Sequence, residues 1–174
     1  AAQTPLPIRS CSALYLYGLR ALNDAVGGVR VTILEDLDYK YPAMQKGAEV
    51  TLDGRMAERY IRARARTPQG NLNRMERQKQ YVKALMKKAM EQIKKNPESI
   101  LDIYNSIKNE VVTDLTTGEM LYLATAAANM TIAPEIRTVP GEVRMSADNY
   151  VQYDIDEAGL LELLLSVYYI ECEE

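Results

Sequence analysis

The sequence predicts an α/β protein, a layered α-β-α domain built around a central mixed sheet. Short segments of alternating apolar residues, typical of strands, alternate along the chain with stretches whose apolar residues recur every three or four positions, typical of helices. The 174 residues are enough for one domain with a sizeable core. No internal repeat or clear linker divides the chain. We therefore predict a single domain over residues 1–174.

Five segments carry strand signals. Val29, Val31 and Ile33 alternate directly after Gly27-Gly28, a pair that ends the helix before it. Pro140-Gly141 predicts a turn between the last two strands. The predicted strands cover residues 13–17, 29–33, 48–52, 132–139 and 150–155.

Capping residues mark where most of the helices begin. Asp53-Gly54 and Asn73 suit helix starts, Pro97 suits a first helical position, and Asp156 can cap the last helix. Five predicted helices cover residues 18–25, 53–65, 73–95, 116–129 and 157–169. A sixth begins at residues 96–97. The stripe that should face the core of the longest helix is Val82, Leu85, Met86, Ala89 and Ile93.

Composition excludes several classes of function. The chain has no histidine, which removes Ser-His-Asp and Cys-His catalysis and every histidine metal ligand. Two cysteines, Cys11 and Cys172, cannot form a four-ligand zinc site, and the sequence does not say whether they pair. The sequence contains no run of about 18 apolar residues, so it predicts no membrane-spanning helix. The net charge of −3 argues against a general attraction to nucleic acid, so any anion site must be local.

Arginine is concentrated in one short segment. Seven of the 12 arginines lie between residues 55 and 77: Arg55, Arg59, Arg62, Arg64, Arg66, Arg74 and Arg77. Steps of three and four place Arg55, Arg59, Arg62 and Arg66 on one helical face. A guanidinium donates two parallel hydrogen bonds to a phosphate or carboxylate, so the cluster suggests an anion site. The alternative is a solvated face with salt bridges to Asp53, Glu58 and Glu76.

Two segments, GGVRVTI and LDGRMAERYIRARARTPQGNLNRMERQ, resemble the LytR-CpsA-Psr family of cell-envelope phosphotransferases. The positions that match the family's motifs are Gly27, Gly28, Val29, Leu52, Gly54, Ala57, Tyr60, Arg62, Arg64, Gly70, Arg74, Arg77 and Gln78. The spacing agrees throughout, including the twelve-residue step from Arg62 to Arg74.

The resemblance implies a function. Family members sit outside the cytoplasmic membrane on an N-terminal anchor and bind a glycopolymer linked to polyprenyl pyrophosphate. They transfer its glycosyl-phosphate unit to a peptidoglycan hydroxyl. By motif position, the pyrophosphate contacts expected here are Arg62, Arg64, Arg74 and Gln78. Arg77 also fits the motif, but it points away from Arg74 and Gln78 on a helix, so we expect a structural role for it.

The chain departs from the family pattern in two ways. The resemblance covers only the C-terminal portion of the family domain, so we expect an incomplete domain that lacks the N-terminal section and anchor. That section carries the acidic Mg²⁺ ligands; Mg²⁺ is expected as a cofactor, but its ligands are not found in this sequence. Asn71 stands where the family usually has an acid, so the catalytic residue is unknown. Asp36 and Asp38, beside Glu35, could bind a metal but fit solvated loop charge better.

These departures leave a second function open. The chain could be a non-catalytic module that binds a lipid pyrophosphate or an anionic envelope polymer. Nucleic-acid binding is a third reading, which the acidic net charge and the lack of a base-reading motif disfavour. The partners implied by the resemblance are the lipid-linked glycopolymer, peptidoglycan and the membrane.

Overall fold

A computed structural model of the chain describes residues 10–37, 41–64, 70–128, 136–148 and 150–168. The chain forms two compact units, Ala1–Ile132 and Ala133–Glu174. The first contains, in order, β1 (Ser12–Leu14), α1 (Leu16–Ala25), β2 (Val29–Thr32), β3 (Glu49–Leu52), α2 (Gly54–Arg62), α3 (Gly70–Lys95), α4 (Ser99–Ile107), β4 (Val111–Thr113) and α5 (Thr117–Ala128). The second contains β5 (Gly141–Met145), β6 (Val151–Ile155) and α6 (Glu157–Tyr168). The single domain predicted from the sequence stays a prediction.

The predicted α/β class is confirmed, but the arrangement of the strands differs from the prediction. Within the described ranges the strands form three two-stranded antiparallel sheets, β1-β4, β2-β3 and β5-β6, rather than one central mixed sheet. Each of these strands has only three to five residues and pairs with a single neighbour. β1 pairs with β4, which lies about 100 residues later and was not predicted from the sequence.

The core of the first unit lies where the β2-β3 sheet packs against the helices. Val29 and Val31 point inward from β2, as their alternation predicted, and Leu52 of β3 is fully buried beside them. Gly28 has a φ of +80°, and a Cβ at this position would lie 3.0 Å from the Leu52 carbonyl oxygen. The Gly27-Gly28 pair therefore permits both the left-handed turn and the close approach to β3.

A buried polar network joins α1, β3 and α3. Asn23 donates from Nδ2 to the Leu52 carbonyl oxygen at 2.9 Å and accepts from the Tyr81 hydroxyl at 3.1 Å. Both Asn23 and Tyr81 are almost completely buried. Because these buried groups are hydrogen-bonded, the bonds offset the cost of removing them from water, and the network holds the three elements in one register.

Several predicted boundaries in the first unit need correction. The strand predicted at residues 13–17 ends at Leu14 and is exposed, and α1 already begins at Leu16. The longest helix begins at Gly70 rather than at Asn73, whose Nδ2 donates to Glu35 Oε2 at 3.0 Å instead of capping. In α3, Leu85 is buried, whereas Val82 and Met86 are each 42% exposed. Val82 follows the buried Tyr81 by one position, and Met86 follows Leu85, so each points about 100° away from the core.

The second unit is a hairpin followed by a helix. Asp156 accepts hydrogen bonds from the backbone N–H groups of Ala158 and Gly159 at 3.1 Å, which confirms the predicted cap of α6. The strand predicted at residues 132–139 is wrong over 136–139, which form no regular element, while 131–135 lie outside the described residues. Gly141 pairs with Ile155 and begins β5, so Pro140-Gly141 is not the turn between the last two strands, whose connection follows Met145 instead.

Among the helices described here, none combines the length and the apolar character needed to cross a bilayer.

Candidate functional site

The arginine-rich face predicted from spacing is present on α2. Arg55, Arg59 and Arg62 line one open cavity of about 520 Å³, together with Arg20, Tyr41 and Glu58. Arg66, the fourth residue predicted for this face, lies outside the described residues. The lining contains four guanidinium groups and one carboxylate, a formal excess of three positive charges in a chain whose net charge is −3.

Glu58 organises the cavity. Its side chain is 11% exposed and accepts hydrogen bonds from Arg20 Nε and from Arg62 Nη1, the latter at 2.7 Å. The hydrogen bond from Arg20, followed by that from Arg62, lowers the pKa of Glu58 below its usual value. The carboxylate is therefore charged at neutral pH and holds one guanidinium on each side of it.

The packing of α1 against α2 brings Arg20 to Glu58. Gly54, the first residue of α2, lies so close to α1 that a Cβ there would be 2.7 Å from the Arg20 carbonyl oxygen. The Gly54 N–H also donates to Asp24 Oδ1 at 2.7 Å. Asp53 caps the same helix through the Met56 N–H at 2.8 Å, as predicted. The start of α2 is thus held against α1 by its backbone.

Arg77 fixes the other end of α2 against α3. Its side chain is fully buried, donates from Nε to the Tyr60 carbonyl oxygen at 2.8 Å and from Nη2 to the Ala63 carbonyl oxygen, and forms an ion pair with Glu35. The last carbonyl groups of a helix have no partner within it, so Arg77 satisfies groups that would otherwise be unpaired. These contacts give Arg77 the structural role expected from its position.

The four predicted pyrophosphate ligands lie around this junction. Arg62 is the last residue of α2, and Arg64 is exposed two residues later. On α3, Gln78 donates from Nε2 to the Ile61 carbonyl oxygen at 3.1 Å, which places it beside the end of α2. Arg74 lies one turn before Gln78 and is half-buried. Arg62 lines the cavity on α2, whereas the other three do not, and the role of all four as pyrophosphate ligands stays a prediction.

Two polar groups near the start of α3 are buried and unsatisfied. Arg74 Nε and Asn71 Oδ1 have no hydrogen-bond partner in the parts of the chain that the structure describes. A buried donor without an acceptor costs about 1–3 kcal/mol. Because Arg74 is positively charged, an anionic ligand would suit its unpaired Nε–H group and would supply the missing acceptor.

Of the contributors to the cavity, sequence reasoning missed Arg20 and Tyr41. The sequence predicts Glu58 only as a salt-bridge partner of the arginine cluster, and its pair with Arg62 is of that kind. Asp53 and Glu76, the other two acids considered, instead cap α2 and pair with Lys79. No local pattern indicates Arg20, because it lies 38 residues before its partner Glu58 in the chain.

Of the two aspartates that could bind a metal, the structure describes Asp36. Asp36 accepts from the Lys46 N–H at 2.7 Å and organises its own loop, and Asp38 lies outside the described residues. No three His, Cys, Asp or Glu side chains converge on a common point anywhere in the described ranges. Mg²⁺ prefers oxygen ligands in an octahedral arrangement. One or two carboxylates together with water and substrate phosphates are commonly enough to hold this ion, so Mg²⁺ stays a prediction from the family resemblance.

Comparison with known proteins identifies the family. The sequence profile of the LytR_cpsA_psr family matches residues 2–165. The polyisoprenyl-teichoic acid–peptidoglycan teichoic acid transferase TagU of Bacillus cereus is 29% identical over 160 residues, which cover 91% of this chain and 51% of that protein. The cell wall biosynthesis protein LcpA of Corynebacterium glutamicum is 31% identical over 121 residues, 66% of this chain and 22% of that protein.

A similar fold occurs in the crystal structure of Bacillus subtilis TagV, with a TM-score of 0.69, 24% identity, and coverage of 92% of this chain and 63% of that one. The chain spans about half the length of the TagU sequence that it matches. The match of the family profile to nearly the whole chain, together with the shared fold, shows that the chain belongs to the LytR-CpsA-Psr family.

Proposed function

We propose that this chain is part of an extracytoplasmic transferase that moves a cell-wall glycopolymer from a polyprenyl-pyrophosphate carrier to a peptidoglycan hydroxyl. In this proposal the pyrophosphate binds where the end of α2 meets α3, with Arg62, Arg64, Arg74 and Gln78 as its ligands. The observation that carries it is the buried, unsatisfied Nε of Arg74 beside Asn71 at a position that matches a family motif. The name of the TagU relative, a transferase that joins teichoic acid to peptidoglycan, supports the substrate class.

The proposed ligands suit the chemistry of phosphoryl transfer. Negative charge on the transferring phosphoryl group and on the leaving phosphate is best stabilised by donors that are already in place. Arg77 supplies that rigidity, because it ties the carbonyl groups of Tyr60 and Ala63 to α3 and so fixes the segment that carries Arg62 and Arg64. Gln78 adds a neutral donor, and its bond to Ile61 would be exchanged for one to a phosphate oxygen.

Binding without catalysis is the second candidate function, and Asn71 is the observation that favours it. An amide cannot accept a proton from an acceptor hydroxyl at neutral pH, as a carboxylate can. Asn71 lies at the start of α3, three residues before Arg74, where the family usually has an acid. A module with this residue could hold a lipid pyrophosphate and leave it unreacted.

A thermal-shift titration of the 174-residue chain with polyprenyl pyrophosphate, with and without Mg²⁺, tests the binding site. A ligand at one hundred times its dissociation constant stabilises a protein by about 2.7 kcal/mol. We expect such a stabilisation in the wild type and its loss in Arg74→Ala. Lys87→Ala, an exposed change on the same helix, is the matched control and should retain it. A wild type that melts cooperatively without any shift would contradict the proposed site.

Release of polyprenyl phosphate separates the two candidate functions. With a lipid-linked glycopolymer and peptidoglycan present, transfer should release polyprenyl phosphate and attach the polymer to the peptidoglycan. Stabilisation by the pyrophosphate without such release would favour the binding module. Asn71→Asp is the informative variant, because it restores a carboxylate at the family's acid position, and a gain of release in this variant would identify the acid as a catalytic group.

A further inference from the structure

The cavity between α1 and α2 has a different composition from the pyrophosphate site. Three of its four arginines, Arg20, Arg55 and Arg59, are not among the ligands proposed for the pyrophosphate. Arg20 comes from a different helix, and its guanidinium lies 5.0 Å from the centroid of the Tyr17 ring, within the range of a cation–π contact. Arg20 is thus held by an aromatic ring and by Glu58 together.

The guanidinium groups are arranged in advance of any ligand. Glu58 uses Nε of Arg20 and Nη1 of Arg62, and each guanidinium carries five N–H donors, so most of the donors of both remain for a ligand. Arg55 and Arg59 stand four residues apart on the same face of α2, so both side chains line the same cavity. An anion in the cavity would meet donors whose positions are already set by the packing of two helices.

The size of the cavity indicates an extended anion. The step from Arg55 to Arg62 is seven residues, or about 10 Å along a helix, which is longer than a single phosphate. A volume of about 520 Å³ is in the range of sites that hold ligands of several functional groups. A polymer with two or more phosphates spaced along it would place one phosphate near each end of this row of arginines.

We propose that this cavity is a second anion site, which binds a phosphodiester segment of the glycopolymer itself, apart from its pyrophosphate link to the lipid. The identity of the polymer rests on the proposed function, but the existence of the site does not. Arg62 lies in the cavity and also at the junction with α3, so the polymer and the pyrophosphate would approach the same end of α2 from two sides. The cavity would then keep the polymer aligned while its lipid end occupies the junction.

The test uses a lipid-free oligomer of poly(glycerol phosphate) as the probe, with neutral dextran for comparison, and calorimetric titration of the 174-residue chain. We expect binding of the phosphate oligomer but not of dextran, and weaker binding as salt is raised. Arg55→Gln is the principal variant because Arg55 is exposed. We expect about a tenfold loss of affinity, since one charge-assisted contact is removed. Arg20→Gln should cause a similar loss.

Two further variants separate the sites. Arg30→Gln removes an exposed arginine from β2, outside the cavity, and should leave the affinity for the oligomer unchanged. Arg74→Ala should abolish the thermal shift with polyprenyl pyrophosphate but retain oligomer binding, whereas Arg55→Gln should retain the thermal shift and bind the oligomer about tenfold more weakly. Absence of oligomer binding by the wild type, or equal binding by wild type and Arg55→Gln, would overturn the proposal. Loss of both ligands in each variant would mean that there is one site rather than two.

Discussion

Replacing Arg77 should separate α2 from α3. Arg77→Met keeps an unbranched apolar stem of similar length but removes the donors to the Tyr60 and Ala63 carbonyl oxygens and the partner of Glu35. Removing one partner from a buried ion pair typically costs about 3–5 kcal/mol. The Glu35 side chain is 25% exposed and can regain some hydration, so we expect the lower end, about 3 kcal/mol.

Urea denaturation and thermal unfolding, each followed by far-ultraviolet circular dichroism, measure this loss. For a domain of this size, about 3 kcal/mol corresponds to a decrease in Tm of about 6–12 °C. Lys79→Met is the matched control, because Lys79 is two positions further along α3 and pairs with an exposed Glu76 at 3.0 Å. Such surface pairs contribute about 0–1 kcal/mol. Arg77→Lys should lie between the two, since it keeps the charge but not the planar group that reaches both carbonyl oxygens.

The reasoning would be refuted by an Arg77→Met protein that loses less than about 1 kcal/mol with an unchanged denaturant slope. That result would mean that the end of α2 is held by other contacts. If the loss is as large as expected, the thermal shift with polyprenyl pyrophosphate should also shrink, because the segment that carries Arg62 and Arg64 would no longer be fixed.

Three further predictions concern α2 and its surroundings. Gly54→Ala should destabilise the protein by about 1–3 kcal/mol, because the new methyl group would force apart the helices that meet at the Arg20 carbonyl; an unchanged urea midpoint would show that the contact relaxes freely. Asp53→Ala should cost about 1 kcal/mol by removing the cap on the Met56 N–H, and Asp53→Asn should recover most of it, whereas equal losses would point to charge rather than capping. Burial raises the pKa of Tyr60 to about 12, so its contribution to stability should be intact below pH 10, the usual tyrosine value, and decline as the pH rises from about 10 to 12. Urea midpoints across that range should fall less steeply in Tyr60→Phe; the same slope in both proteins would exclude Tyr60 as the cause.

Local patterns account for the parts of the fold that were predicted correctly. The alternation of Val29 and Val31 identified β2, because a strand with one buried face repeats every two residues. Asp53 and Asp156 identified the starts of α2 and α6, because a cap bonds to N–H groups two or three residues away. In each case the interacting groups are close in sequence, so their pattern can be read without knowledge of the packing.

The parts that were predicted wrongly depend on distant partners. β4 has three residues and exists by pairing with β1, about 100 residues earlier, so no local pattern marks it. The inward face of α3 is narrower than the predicted stripe, because Val82 and Met86 are apolar but point away from the buried Tyr81 and Leu85. Only the position of the neighbouring elements decides which apolar residues of a long helix are covered.

The same division applies to the candidate site. By itself, the sequence determined the family motifs and the shared face of Arg55, Arg59 and Arg62, because the helical repeat places residues three and four apart on one side. Tertiary structure decided that Arg77 is buried and joins the end of α2 to α3. It also decided that Arg20, from another helix, completes the cavity around Glu58. Those facts depend on how closely α1, α2 and α3 pack, and that distance is set by contacts between residues far apart in the chain.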